Sequence, residues 1–401
     1  EYNKNFAYFY YKKIMSMKPN FENKFITGWG LINGVSSYII EAESIKDINQ
    51  VIKNSFGNSL ITRGRGRSYG DSAQNKNEFV INLEKFNNFQ LDRKKGILIA
   101  ESGATLKQIL DFIIPRGFFL PVTPGTKNIT IGGAIASDVH GKNHFRKGSI
   151  GNHIIRVELV TSSGENLVLE PKKSNEGEKD KYFWATVGGM GLTGIITKVE
   201  ILLIPISSNL IGVKTKAHSN INSLMDEFEN NIMDFEYNVA WIDMFDKNLK
   251  GILESARHVG LEEYSEHVTK KTFKLSKEVK IPFPGLIHFF MNKYTISIFN
   301  KIYYYIKSLS LFKIITLKDF FYPLDKITNW NEFYGDKGFY QYQFVVPYSS
   351  FSIKILIEII DVFRTHGVFS YLTVLKRFGK GNESYLSFPI EGWSLTLDIP
   401  N

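Results

Sequence analysis

The stretch TRGRGRSYGD, residues 62–71, places three arginines and three glycines within ten positions. Glycine lets the backbone turn so that successive N–H groups face one anion, and arginine adds a fixed charge with paired donors. That combination fits a phosphate. Gly64, Gly66 and Gly70 are spaced G-x-G-x-x-x-G, one residue off the Rossmann fingerprint, and the SAQNKNE that follows has no amphipathic helical pattern. No Lys-Ser/Thr pair follows the glycines, which excludes a Walker A loop. A solvated basic turn is the plain alternative. An RGG-like nucleic-acid arm is disfavoured because the loop lies between strand-like runs.

Two further glycine-rich stretches follow. PVTPGTKNITIGGAIASDVHGKNH, residues 121–144, offers small residues along which backbone can approach a flat ligand. FWATVGGMGLTGIITKVEILLIPI, residues 183–206, sets Gly188, Gly189, Gly191 and Gly194 before an apolar run and by itself reads as a helix C-cap and turn. His140 and His144 are four apart, as on a zinc helix. HGKNH, however, has Gly and Lys where a metalloprotease helix needs Glu, so no metal site is expected. Three such segments without dinucleotide or P-loop spacing point to one large phosphate-bearing cofactor.

The elements that must carry these loops are legible in outline. ESIKDINQVIKN reads as a helix with Ser44 as N-cap and Ile45, Ile48, Val51 and Ile52 on one face. SLITR, FVINL and GILIAES read as strands, TLKQILDFIIPRG as a helix ending at Pro115 and Gly117, and VELVTSSGENLVLE as a hairpin around Ser163-Gly164. A strand closes the region at Pro205, and longer segments rich in Phe, Tyr, Ile and Lys follow. The chain of 401 residues exceeds one ordinary core, and a boundary is expected near Pro205–Asn209. The composition is globular, 43% hydrophobic and 22% charged, and the net charge of +9 favours anionic partners. With no cysteine, disulfides, thiolate nucleophiles, iron–sulfur clusters and Cys-type zinc sites are excluded.

These motifs, in this order, resemble the FAD-binding domain of the vanillyl-alcohol oxidase/p-cresol methylhydroxylase superfamily and, within it, the decaprenylphosphoryl-ribose oxidases. The likeness runs from GWG at 28–30 through GRSYGD, PGT, GGAIASDVHGKNH, GSIGNH, FWATVGGMGLTGII, AWIDMF, YPLD and FYQYQFVVP to LSFPIEGW. It implies an α+β protein: a PCMH-type FAD-binding domain of two small α/β subdomains over 20–205, and a substrate domain over 206–401 built on an antiparallel sheet with helices. Family chains continue past this end and return to the FAD domain with a Lys and a Tyr near the flavin, so that return is expected to be missing here.

Carried over by residue, the resemblance puts Arg63, Gly64, Arg65, Gly66, Arg67, Ser68, Tyr69, Gly70 and Asp71 along the FAD pyrophosphate, with Ser72, Ala73 and Gln74 continuing the wall. Gly125, Thr126, Thr130, Ile131, Gly132 and Gly133 would run along the adenosine diphosphate and flavin. His140, Gly141, Lys142 and Asn143 would sit by the isoalloxazine, and Ile196 by the adenine. Trp241, Phe321, Gln341, Gln343, Lys376 and Phe378 would line the substrate pocket. Phe321 replaces a family Tyr, Ser394 an Asn, and Thr396 a Cys of mycobacterial members, changes that bear on sugar and lipid specificity.

The implied reaction takes hydride from a sugar carbinol to flavin N5 while a base accepts the hydroxyl proton, with His140 and Lys376 as the visible catalytic groups. In FYQYQFVV, period two puts the amides of Gln341 and Gln343 on one strand face, suited to hydroxyl recognition. Non-covalent FAD is expected, since the pyrophosphate loop has no His and the chain no Cys. The implied partners are a polyprenyl-phosphate sugar, a short-chain reductase completing an epimerisation, and an anionic membrane surface on a bacterial, peripherally membrane-associated enzyme. No nucleic acid is expected. Residues 280–318 hold six lysines, no acidic residue and nine aromatics, a pattern for rings sunk in an interface with the amines kept in water. A soluble aldonolactone or alditol oxidase using oxygen and a non-catalytic basic surface protein are the alternatives.

Overall fold

The computed structural model describes residues 21–55, 59–171, 178–263, 287–309 and 312–401. Two sheets come from the N-terminal half. A four-stranded sheet orders Phe21–Ile26, Val35–Glu41, Phe79–Asn82 and Leu60–Arg63, the last three parallel to one another. A five-stranded antiparallel sheet orders Phe89–Asp92, Ile97–Glu101, Ile195–Leu202, Ile154–Val160 and Asn166–Leu169. All three strands expected before residue 102 are present. Ser44 caps the helix Ile45–Asn54 by accepting from Asp47 N, and this helix buries Ile48 and Val51 while Ile45 stays exposed. The helix Leu106–Ile113 carries a capping box of Thr105 and Gln108 and stops at Gly117, whose φ of 81° only glycine adopts readily. The hairpin turns at Gly164 as its sequence predicts.

From Leu210 onward the chain builds a seven-stranded antiparallel sheet: Phe312–Thr316, Leu210–His218, Gly251–His258, Tyr237–Ile242, Leu372–Phe378, Gly392–Pro400 and Phe339–Pro347. Alternation gives the sheet two unlike faces. Ala240, Leu253, Leu375, Leu395 and Leu397 pack with the helices Ile221–Asn231 and Ser352–Thr365 in one apolar core. The opposite face carries Trp241, Glu254, Lys376, Ser394, Thr396, Gln341 and Gln343. At one end of that face Ile211, Val213, Tyr237 and Ala256 join the core that also holds the five-stranded sheet and the helix Leu106–Ile113. The polar side chains therefore face the glycine-rich loops of the N-terminal half.

The helix Lys293–Ser308 lies on the same face as the polar row. Tyr303 sets its ring edge on Trp241 at 4.9 Å, and Lys307 bonds Glu254. Its other side is apolar and exposed: Tyr294 at 70%, Ile298 at 58%, Tyr305 at 65% and Leu309 at 69%. Six wet lysines were expected in the segment around this helix, and the structure alters that pattern. Lys307 and Lys313 turn inward onto Glu254, and Lys318 pairs with Asp111. Residues 280–286 and 310–311 of the segment lie outside the described residues.

Candidate functional site

The arginine-glycine loop leaves the strand Leu60–Arg63 and is bound on its carbonyl side. Trp29 N donates to Ser68 O at 2.7 Å and Gly30 N to Tyr69 O at 3.1 Å. Gly28 is required there, since a Cβ would lie 2.0 Å from Gly70 O. Gly66 has φ of 59° and reverses the chain. Among the described residues, no protein acceptor is assigned to any backbone N–H from Gly64 to Ala73. Carbonyls bound on one side and a run of uncommitted N–H groups on the other make a nest suited to a pyrophosphate. A Cβ at Gly70 or Gly125 would meet nothing within 4 Å, so the backbone is open to a ligand at both points.

The three arginines do less for an anion directly than their charge implies. Arg63 donates to Thr27 O at 2.6 Å and to Ala73 O at 3.0 Å, so its guanidinium staples the loop, and burial lowers its pKa. Arg65 pairs with Glu84. Arg67 lies 4.1 Å over the Trp29 ring. Gln74 also turns to the protein, with its amide 2.9 Å from Gly28 N and 3.1 Å from Asn33 O. Asp71 and Ser72 are exposed at the rim of the loop.

The second glycine stretch packs directly on the first. A Cβ on Gly64 would strike Thr130 Oγ1 at 2.3 Å, and one on Gly132 would strike Ser102. Ile131 N and Gly132 N donate to Ala104 O and Ser102 O, each at 2.8 Å, and Gly133 N to Thr130 Oγ1. These N–H groups are therefore spent inside the protein. Ile131 and Ile196 are core, and Thr130 is a cap. Thr126 Oγ1 and Lys127 N are held by Asp325, at 2.7 and 2.8 Å, which fixes Gly125.

The 140–144 segment is not helical across its two histidines. His140 forms an isolated bridge with Ser149, and a short helix begins only at His144. Contacts to both parts of the chain lock it in place. Lys142 O accepts from Asn238 N at 2.9 Å, His144 Nδ1 from Gly379 N at 3.1 Å, and Asn143 donates to Pro121 O at 2.9 Å. A Cβ at Gly141 would lie 2.8 Å from Thr123 O.

His140 stands at the centre of the assembled site. Its ring is 4.7 Å from Phe378 and 6.0 Å from Phe388. Gln343 Nε2 sits 3.3 Å from His140 Nε2 and donates to Ser394 Oγ at 2.8 Å. An amide nitrogen cannot accept, so His140 Nε2 is the acceptor and Nδ1 carries the hydrogen. That Nδ1 is buried with no partner in the protein. Burial, and then Lys376, hold the ring pKa well below its usual value, so the imidazole is neutral. His144 is likewise neutral, at about 4 through burial and Lys376.

The strand register explains how distant residues meet. Trp241 pairs with Val374, Val374 with Thr396 and Thr396 with Gln343, a single row across four strands. Lys376 pairs with Ser394 in the next row. Burial lowers the Lys376 ammonium to about 8. Lys142 is lowered by burial to about 7 and lies 3.9 Å over the Phe320 ring.

Two rings expected in the substrate pocket are buried in this structure. Phe321 is fully buried, 5.0 Å from Phe119 and 4.8 Å from Tyr237, within the apolar core. Phe378 is also fully buried, and it backs both histidines. Asp398 was not anticipated. It accepts from Gln341 Nε2 at 2.8 Å, burial raises it to about 7, and its second oxygen is buried without a partner.

The free N–H groups of the loop, the open backbone at Gly70 and Gly125, and the unpartnered His140 Nδ1 suit FAD, with its pyrophosphate and hydrogen-bonding ring edge. Residues 36–170 match a family model described as an FAD binding domain. The decaprenylphosphoryl-beta-D-ribose oxidase of Mycolicibacterium smegmatis is 33% identical over 390 residues, covering 94% of this chain and 83% of that protein. A mitochondrial D-2-hydroxyglutarate dehydrogenase of Arabidopsis thaliana is 26% identical over 238 residues, 56% of this chain and 42% of its own length. A putative D-arabinono-1,4-lactone oxidase of Neurospora crassa is 27% identical over 179 residues, 44% of this chain and 31% of its own. The chain is an FAD-dependent oxidoreductase acting on CH–OH groups and belongs to the decaprenylphosphoryl-ribose oxidase family of the vanillyl-alcohol oxidase superfamily.

Proposed function

We propose that the protein oxidises a secondary hydroxyl of a polyprenyl-phosphate-linked pentose to a ketone. The observation that carries this reading is the polar row of Gln343, Thr396, Ser394 and Lys376 beside His140, within a wall of aromatic rings. Hydroxyls of a sugar are matched by amides and hydroxyls on one strand face. Bound FAD supplies the hydride acceptor. Lys376, with its ammonium lowered to about 8, takes the hydroxyl proton as a neutral amine. His140 offers Nδ1–H to an oxygen in the site, held in that tautomer by Gln343. The same reading divides the chain into an FAD-binding part, 20–205, and a substrate part, 206–401, supported by the seven-stranded sheet drawing every strand from beyond residue 209. A short-chain reductase would return the ketone to the opposite configuration. The flavin is held without a covalent link, so acid precipitation releases the colour to the supernatant and a coloured pellet would contradict this.

A lipid-linked substrate requires contact with a bilayer. Among the described residues no helix is long and apolar enough to cross a membrane. The exposed face of the helix Lys293–Ser308, continued by Phe289 and Phe290, suits an interfacial position, with Lys293 and Lys301 able to reach headgroups. Each such lysine near an anionic leaflet contributes about 1 kcal/mol before screening. A soluble aldonolactone oxidase, the alternative favoured by the partial likeness to the Neurospora protein, has no need of this face. Co-sedimentation with anionic vesicles, weakening as salt rises, is expected. Vesicles that bring down no protein, together with turnover of a free lactone, would favour the alternative.

A further inference from the structure

We propose that Lys142, Lys307 and Lys313, gathered around Glu254, form a subsite for a phosphate ester. The proposal rests on the reading of a phosphate-bearing substrate and names the residues that would take its charge. Glu254 lies on the sheet face that carries Lys376, paired across strands with Thr215 and Val239. Lys307 Nζ is 2.6 Å from its carboxylate and Lys313 Nζ 3.9 Å. The same carboxylate acts electrostatically on Lys142, which is held by Phe320 O. Two ammonium groups thus meet one carboxylate, and a third lies within its field.

An ion pair that only anchors a helix needs one cation for one anion. Surplus cations away from water are costly unless a counter-charge joins them. Burial has already lowered Lys142 to about 7, the direction expected of an ammonium without enough negative charge nearby. Against burial, Glu254 already raises the pKa of Lys307, and a dianionic phosphate ester would balance the group and hold Lys142 and Lys313 protonated as well.

The position also suits an amphiphile. Lys142 is two residues from His140, so the cluster adjoins the sugar site. Lys307 is on the inner side of a helix whose outer side exposes Tyr294, Ile298, Tyr305 and Leu309. One molecule could then set its sugar at His140, its phosphate at the lysines and its chain along the helix toward the bilayer.

The test is calorimetric titration of the FAD-loaded protein with farnesyl phosphate, farnesol and inorganic phosphate, with no sugar and no turnover. Lys307→Met alone would take the 2.6 Å partner from Glu254, so the double variant Glu254→Gln/Lys307→Met is used and compared with Glu254→Gln. Farnesyl phosphate is expected to bind about tenfold tighter than farnesol, and the double variant to bind it about tenfold more weakly than Glu254→Gln alone, the loss of roughly one charge-assisted hydrogen bond. Glu254→Gln alone is expected to tighten binding. Equal losses for inorganic phosphate mark the anion alone as the ligand, and losses only for farnesyl phosphate mark a lipid-linked one. Equal affinity of the double variant and Glu254→Gln, or equal binding of farnesol and its phosphate, overturns the proposal. Because no oxidation is read, failure of the sugar-oxidation reading leaves this result interpretable.

Discussion

Replacing Lys376 with methionine is expected to slow flavin reduction by about 10²–10⁴-fold, the usual contribution of a positioned proton acceptor. If the neutral amine accepts the proton as proposed, the rate in the native protein should rise through pH 8, since burial lowers its pKa to about 8. The variant should lack that rise. The sign for stability is fixed by the same shift. The folded pKa lies below the ordinary 10.5, so between about 8 and 10.5 the unfolded chain holds the extra proton. Stability from this group therefore increases with pH across that window, and Lys376→Met flattens the increase. Stopped-flow reduction and thermal unfolding over the same pH series read the two effects separately. An unaltered rate in the variant would assign the proton to another group.

His140→Ala is expected to slow reduction by about 10²–10³-fold, the loss typical of one oriented donor aimed at developing charge. FAD content should stay near native, since the loop from Gly64 to Ala73, proposed to take the pyrophosphate, does not include His140. Gln343→Leu should reproduce part of the loss, because the amide fixes the imidazole tautomer through Nε2 at 3.3 Å. His140→Gln, which keeps a donor, should recover some of it. A His140→Ala protein that loses its flavin instead would make the ring a packing element against Phe378.

The sequence disclosed the loops better than it disclosed their atoms. Arginine and glycine spacing pointed to a phosphate at 62–71, and the loop from Gly64 to Ala73 leaves its backbone N–H groups without protein acceptors among the described residues. The charge is nevertheless arranged differently, because Arg63 is drawn to Thr27 O and Ala73 O by carbonyls that no local pattern reveals. Period two correctly set Gln341 and Gln343 on one face. The same alternation in GWSLTLDIP would have added Asp398 to Ser394 and Thr396, a signal present and unread. Glu254 had no such signal. Its partners lie on a helix and a strand more than 50 residues away, so the cluster exists only after the sheet closes. Phe321 and Tyr322 lie side by side, and their sequence does not tell which has a polar task. Both rings are buried, and only the Tyr322 hydroxyl, 2.6 Å from Thr123 Oγ1, has a polar task.

The central claim is that this site takes a carbinol hydrogen from a polyprenylphosphoryl pentose. The direct measurement is anaerobic mixing of the FAD-loaded protein with polyprenylphosphoryl ribose in detergent, followed by flavin absorbance and by mass analysis of the sugar. The account predicts loss of the oxidised-flavin band in one turnover, with a product two hydrogens lighter that carries a ketone. Flavin that stays oxidised with the lipid-linked pentose but bleaches with a free aldonolactone would contradict it.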